Sequence, residues 1–190
     1  VKATRSLRRL VLVLALVVTL LPLISPARPV AAQAPTIIFV NDDATGLNIG
    51  TSWLHAYRDL ETALTAAGSP TSANPVEIWV AAGTYTPTRL MQDGYARSAT
   101  FTLKSNVALY GGFAGNEASR ENRDWQANET ILSGDIGSPE DTLDNTYHVV
   151  SALSDTDSTT ILDGFYVRYG YSAWTGENYP YFPNVNPDCG

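Results

Sequence analysis

Asp135 and Asp163 are the first residues whose type and spacing suggest chemistry. They lie in two near-repeats, TILSGD (Thr130 to Asp135) and TILDGF (Thr160 to Phe165). Two carboxylates at a suitable separation supply general acid and base for glycoside cleavage, or oxygen ligands for calcium. Their alignment argues for another role. Asp135 follows Gly134 whereas Asp163 precedes Gly164, so the shared part is Thr-Ile-Leu and a glycine. Asp beside Gly at a strand end is ordinary turn chemistry. If the two stretches occupy equivalent points of stacked units, they sit one strand spacing apart, about 4.8 Å. Both aspartates are therefore assigned to turns, and no residue is assigned to catalysis.

Other chemistries find less support. His55 and His148 are the only histidines, and no Gly-His-Gly or Arg-Ile-Lys stretch accompanies them. His55 falls off the apolar stripe of a predicted helix and is expected in solvent, while His148 is expected on a strand. A serine hydrolase would need a G-x-S-x-G elbow, which is missing. NDDATG (Asn41 to Gly46) is polar enough for a calcium loop but lacks the D-x-D-x-D-G alternation and the downstream glutamate, so it reads as a polar turn. No metal and no cofactor is expected. The binding candidates are aromatic. In YGYSAWTGENYPYF, Tyr169, Tyr171, Trp174, Tyr179 and Tyr181 offer flat faces suited to sugar rings, or to packing on the flank of the fold.

The elements that must position these residues follow from hydrophobic period. TIIFVNDD reads as a β-branched strand ending in a polar turn. In SWLHAYRDLETALTAAG, Trp53, Ala56, Tyr57, Leu60, Leu64 and Ala67 share one helical face. Thr51 or Ser52 is the expected N-cap, with Gly68 and Pro70 as the stop. From Val76 the period becomes two, in VEIWVA, ATFTL, NVALYGG, ETILSGDI, YHVVSAL and TTILDGFYV. Trp79 and Tyr110 then point outward, onto a flank or under loops. The strand-ending glycines Gly83, Gly111, Gly134 and Gly164 recur after 28, 23 and 30 residues, the period of a coiling solenoid. In such a coil, long polar inserts such as residues 86–98, 116–128 and 138–146 are tolerated between strands.

Composition bounds the function. With 44% apolar residues, the 190-residue chain has enough for one core. The net charge of −7 includes five basic residues within the first 34 positions; the remainder holds 7 basic against 19 acidic residues. Such an acidic body is unsuited to nucleic acid, which needs a basic stripe. Residues 1–34 read as a signal peptide and cleavage region: a basic start, an apolar run from Leu10 to Ile24, and small residues that fit a cut after Ala32 or Ala34. The single cysteine, Cys189, leaves no internal disulfide for an exported protein.

The ordered blocks VNDDATGLNIGTSWLHAYRDLETAL, VEIWVAAGTY, VALYGGFAGNE with RDWQAN, ETILSGDIG, and YHVVSAL with TTILDGF carry a resemblance over residues 39 to 170. The chain resembles the N-terminal portion of bacterial secreted right-handed parallel β-helix proteins of the pectin-lyase-like superfold. The resemblance implies an all-β parallel solenoid in which residues 35–75 form a strand and a capping helix and residues 76–190 an incomplete series of rungs, truncated at the C-terminus. Two functions stay open. One is a non-enzymatic adhesion or glycan-contacting scaffold, extracellular or at the cell surface, with polysaccharide as partner. Its only link to a membrane would be the export signal or a missing C-terminal anchor. The other is a polysaccharide lyase or glycoside hydrolase whose active residues lie outside this chain. Fold alone does not choose between them.

Overall fold

The computed structural model describes residues 33–139 and 141–172. The leader up to residue 32, Trp174, Tyr179, Tyr181 and Cys189 lie outside the described residues. Among the described residues strands dominate, with one short helix, and every pair of strands is parallel.

Strand β1 (Thr36–Val40) lies beside β2 (Val76–Ala81), which pairs with β5 (Val107–Phe113), which in turn pairs with β8 (Ile161–Asp163). A second sheet stacks β3 (Gly83–Tyr85), β6 (Thr130–Ser133) and β9 (Tyr166–Arg168), and a third pairs β4 (Phe101–Leu103) with β7 (Val150–Ala152). The chain visits first, second and third sheets in that order and then returns to the first. Parallel neighbours need a long connection; residues 41–75 with the helix supply it between β1 and β2, and the other two sheets supply it thereafter.

Alternation explains why the first sheet is buried on both faces. Ile38, Val40, Ile78, Val80, Val107 and Leu109 point into a core closed by Tyr85, Leu132, Phe101 and Leu103 from the other sheets. Phe39, Trp79 and Tyr110 point the other way, into a separate aromatic cluster, and a register shift between β2 and β5 after Tyr110 turns Phe113 to the same side. Trp79 and Tyr110 do leave the main core as their alternation requires, yet only 4% and 7% of their surface is exposed, because Trp53 and the segment after β5 cover them.

The helix is shorter than its apolar spacing predicts. Helix α1 spans Leu60–Ala66, with Asp59 as N-cap accepting the Thr62 N–H at 2.7 Å. Residues 52–56 form local turns instead, and Tyr57 is held to β1: the Tyr57 N–H donates to Phe39 O, and the Asn41 N–H donates to Tyr57 O. Those backbone bonds remove Thr51 and Ser52 as caps and send Trp53 to the outer aromatic cluster. The stop stands as expected, with Gly68 at φ 63° and its N–H donating to Thr65 O. Lys104 Nζ adds hydrogen bonds to Leu64 O and Gly68 O, meeting carbonyls at the helix end. Leu60, Ala63 and Leu64 are the buried face, against β1, β2 and β4.

The near-repeats are not equivalent. TILS forms β6 in the second sheet, where Ile131 lies between Thr84 and Tyr166. ILD forms β8 in the first sheet, where Leu162 pairs with Leu109. Asp135 and Asp163 therefore do not sit on neighbouring stacked positions. The glycines that do meet are Gly111 and Gly164, whose backbones approach so closely that a Cβ at Gly111 would lie 2.5 Å from Gly164 O.

The first long insert closes on itself. Leu90 bridges Ala99, the Met91 N–H donates to Ser98 O, and the Ser98 hydroxyl bonds Gln92 O and Tyr95 O. At its tip, Gly94 has open space on all sides of where a Cβ would be.

Candidate functional site

The outer face of the first sheet begins as a stack of rings. Trp79 and Phe113 lie 4.9 Å apart at 11°, Trp53 packs on Phe113 at 5.3 Å, and Phe39 meets Trp53 edge-on at 4.9 Å. Offset-stacked and edge contacts of this kind add about 0.5–1.5 kcal/mol each beyond their burial. Trp53 Nε1 also donates to Glu117 O, which ties the segment after β5 to the cluster.

Charge takes over where the rings end. Glu77 accepts from Trp79 Nε1 through one oxygen and from Arg120 through the other, both at 2.8 Å. The Arg120 and Arg123 guanidinium groups lie over the Tyr110 ring at 4.5 and 5.1 Å from its centroid. Burial raises the Tyr110 phenol above its ordinary range, opposed by Arg120. Arg123 joins two strands: it donates to Gly111 O of β5 at 2.9 Å and to the Asp163 carboxylate of β8 at 2.8 Å. Its side chain is 15% exposed, while that of Asp163 is 52% exposed.

Trp125 stands beside these pairs on a fixed loop. The Asp124 N–H and the Asn128 side-chain amide both donate to Gly112 O, and Asp124 Oδ1 accepts from the amides of Gln126 and Ala127. Gly112, at φ 90°, lets the loop seat directly on the strand, since a Cβ there would lie 2.5 Å from Trp125 Cα. The Trp125 side chain nonetheless leaves the residue 47% exposed. Tyr110, Arg120, Arg123, Trp125 and Asp163 line an open depression of about 490 Å³. A second, of about 380 Å³, shares Tyr110 and continues past Asn106, Thr159 and Ile161.

A different pocket lies against the third sheet. Thr100 Oγ1, His148 Nε2 and Ser151 Oγ are buried there without a hydrogen-bond partner. Arg97 borders it, stacking 4.2 Å from the Tyr147 ring centroid and donating to Asn145 O and Tyr171 O. Desolvation pushes the His148 imidazole below its ordinary value, so it is neutral near pH 7. With both His148 Nε2 and Ser151 Oγ unpartnered, the pair lacks the hydrogen bond that activates a serine nucleophile.

The remaining candidates separate. Tyr169 is exposed at φ 63°, and Tyr171 is half-buried with its N–H donating to Thr146 O. They stand apart from the depression lined by Trp125. Asp135 follows β6, and its N–H donates to Ser133 Oγ. His55 is not on the helix; its Nδ1 accepts the Leu47 N–H and holds a loop. NDDATG forms a turn in which Asn41 Oδ1 accepts the Asp43 N–H. Sequence reasoning treated residues 116–128 only as an insert and so missed Arg120, Arg123 and Trp125. The signal was there in RENRDW, where guanidinium groups alternate with acids beside an aromatic ring.

No family model matches the chain, and neither a curated protein nor a solved structure is similar to it at a significant level.

Proposed function

We propose that this chain is part of a secreted or cell-surface right-handed parallel β-helix whose role is to contact glycan rather than to cleave it. The cyclic return through three parallel sheets supports the coil, with β1 and α1 closing its first end. Export is supported by the basic, apolar and small-residue order of the first 34 positions. No helix among the described residues is long and apolar enough to cross a membrane.

The observation that carries the functional reading is the pairing of charges on the outer face. Asp163 is held by Arg123, and Glu77 by Arg120 and Trp79, each at 2.8 Å. A glycosidase acid needs a carboxyl with a raised pKa, and its partner a free lone pair facing the bond. Engaged by arginine, these carboxylates are placed as hydrogen-bond acceptors. What remains available to a ligand is an aromatic ring and a rim of hydrogen-bonding groups, which binds sugars without reacting with them.

The test is to incubate the full chain with a panel of plant and bacterial polysaccharides and to measure both retention on the polymer and the release of reducing or unsaturated ends. Retention without release is expected. Clear release of ends overturns the non-enzymatic assignment.

A further inference from the structure

We infer that the depression bordered by Trp125 takes the rings of a neutral oligosaccharide, with the indole as a fixed stacking platform. This inference rests on the glycan-contacting reading above and narrows it to one place and one ligand class.

The platform is prepared in advance. A half-exposed tryptophan on a surface loop normally loses conformational freedom when a ligand docks, which subtracts from affinity. Here the backbone on both sides of Trp125 is already fixed through Gly112 O and Asp124 Oδ1. Little backbone ordering remains for a ligand to impose, and the exposed indole is apolar surface that a sugar face can cover. The two adjoining depressions that meet at Tyr110 each have the dimensions of a small-molecule site.

The electrostatics select the class. Two guanidinium groups face three carboxylates, Glu77, Glu121 and Asp163. Arg123 is engaged by Asp163 and Gly111 O, and Arg120 by Glu77 at 2.8 Å, with the Glu121 carboxylate 4.0 Å away. A uronic acid or sulfated sugar would compete with these carboxylates for the guanidinium groups and remain beside them in a chain of net charge −7. The groups that project furthest into solvent are acceptors, with Asp163 and Glu121 side chains 52% and 74% exposed against 37% and 15% for Arg120 and Arg123. Sugar hydroxyls donate to such oxygens without bringing a like charge.

The experiment is calorimetric titration of the full chain with neutral gluco-, xylo- and manno-oligosaccharides and with an oligogalacturonate of the same length, at low and high salt. Binding of at least one neutral oligosaccharide with an affinity indifferent to salt is expected. Trp125→Ala should weaken it by about tenfold or more, and Trp125→Phe should retain most of it, with melting temperatures unchanged in both variants. Preference for the oligogalacturonate with salt-sensitive affinity would overturn the ligand class while leaving the glycan-contacting reading intact. Neutral binding untouched by Trp125→Ala would overturn the location. Absence of binding to every sugar tested would overturn the inference together with the reading it rests on.

Discussion

The outer face of the first sheet and the pocket against the third sheet are both built from polar side chains on strands and the loops beside them, yet they treat hydrogen bonds in opposite ways. On the first, Glu77 pairs with Arg120 and Asp163 with Arg123, and beside it Thr130 of β6, fully buried in the second sheet, accepts the Gly112 N–H of β5 at 2.9 Å while its hydroxyl faces Ala81 O at 3.4 Å. In the second, Thr100, 2% exposed, has a hydroxyl with no partner, as do His148 Nε2 and Ser151 Oγ. A buried polar atom without a partner costs about 1–3 kcal/mol, whereas a satisfied one contributes about 0.5–1.5. One region is satisfied by protein partners and presents a surface; the other leaves three buried polar atoms without a protein partner.

The largest effect expected tests the outer face. Phe113→Ala removes a ring with no exposed surface that stacks on both Trp79 and Trp53. A loss of about 3–5 kcal/mol in unfolding free energy is expected in urea titration. A loss below about 1 kcal/mol would mean that the cluster is not packed as described.

A matched pair of substitutions puts the contrast itself at risk. Thr130→Val keeps the shape but strands the Gly112 N–H, and should destabilise by about 1–3 kcal/mol. Thr100→Val removes a hydroxyl that bonds nothing, and should leave stability unchanged or raise it by up to about 1 kcal/mol. Equal losses in the two variants, measured by the same denaturant titration, would abolish the distinction between the regions.

The smallest effect is a pH dependence from the third-sheet pocket. His148 is depressed by burial, so on acidification the unfolded chain takes up its proton first, near the ordinary imidazole value of about 6.5. The unfolded state then binds more protons than the folded one, and stability falls as pH drops through that region, levelling off below the folded-state value. His148→Gln should flatten this part of the stability profile. Asp42 and Glu61, raised chiefly by burial, act in the opposite sense: their contribution is present at low pH and lost as pH rises past their folded values.

What could be seen in the sequence was whatever depends on a few neighbouring residues. The alternation in VEIWVA and NVALYGG placed Ile78 and Leu109 inward and Trp79 and Tyr110 outward, and Gly68 ended the helix. What depends on distant partners was not legible. Thr-Ile-Leu is compatible with any of the three sheets, because a strand of three or four residues carries no mark of which edge it joins. The apolar spacing of Trp53, Ala56 and Tyr57 fits a helix equally well, until local turns take residues 52–56 and β1 offers the Tyr57 backbone its bonds. Of the aromatic binding candidates, Tyr169 and Tyr171 fall away from the prepared surface, and Trp125 occupies it because a loop, not a strand, carries it there.

The insert closed by Leu90, Ala99 and Ser98 has a practical consequence for protein engineering. Its base is fastened by its own hydrogen bonds while Gly94 at the tip touches nothing. Lengthening a flexible loop costs only about 0.6 kcal/mol for each doubling of its length. The tip is accordingly a grafting point, where an epitope or reporter peptide can be displayed with the frame beneath it unaware of the passenger.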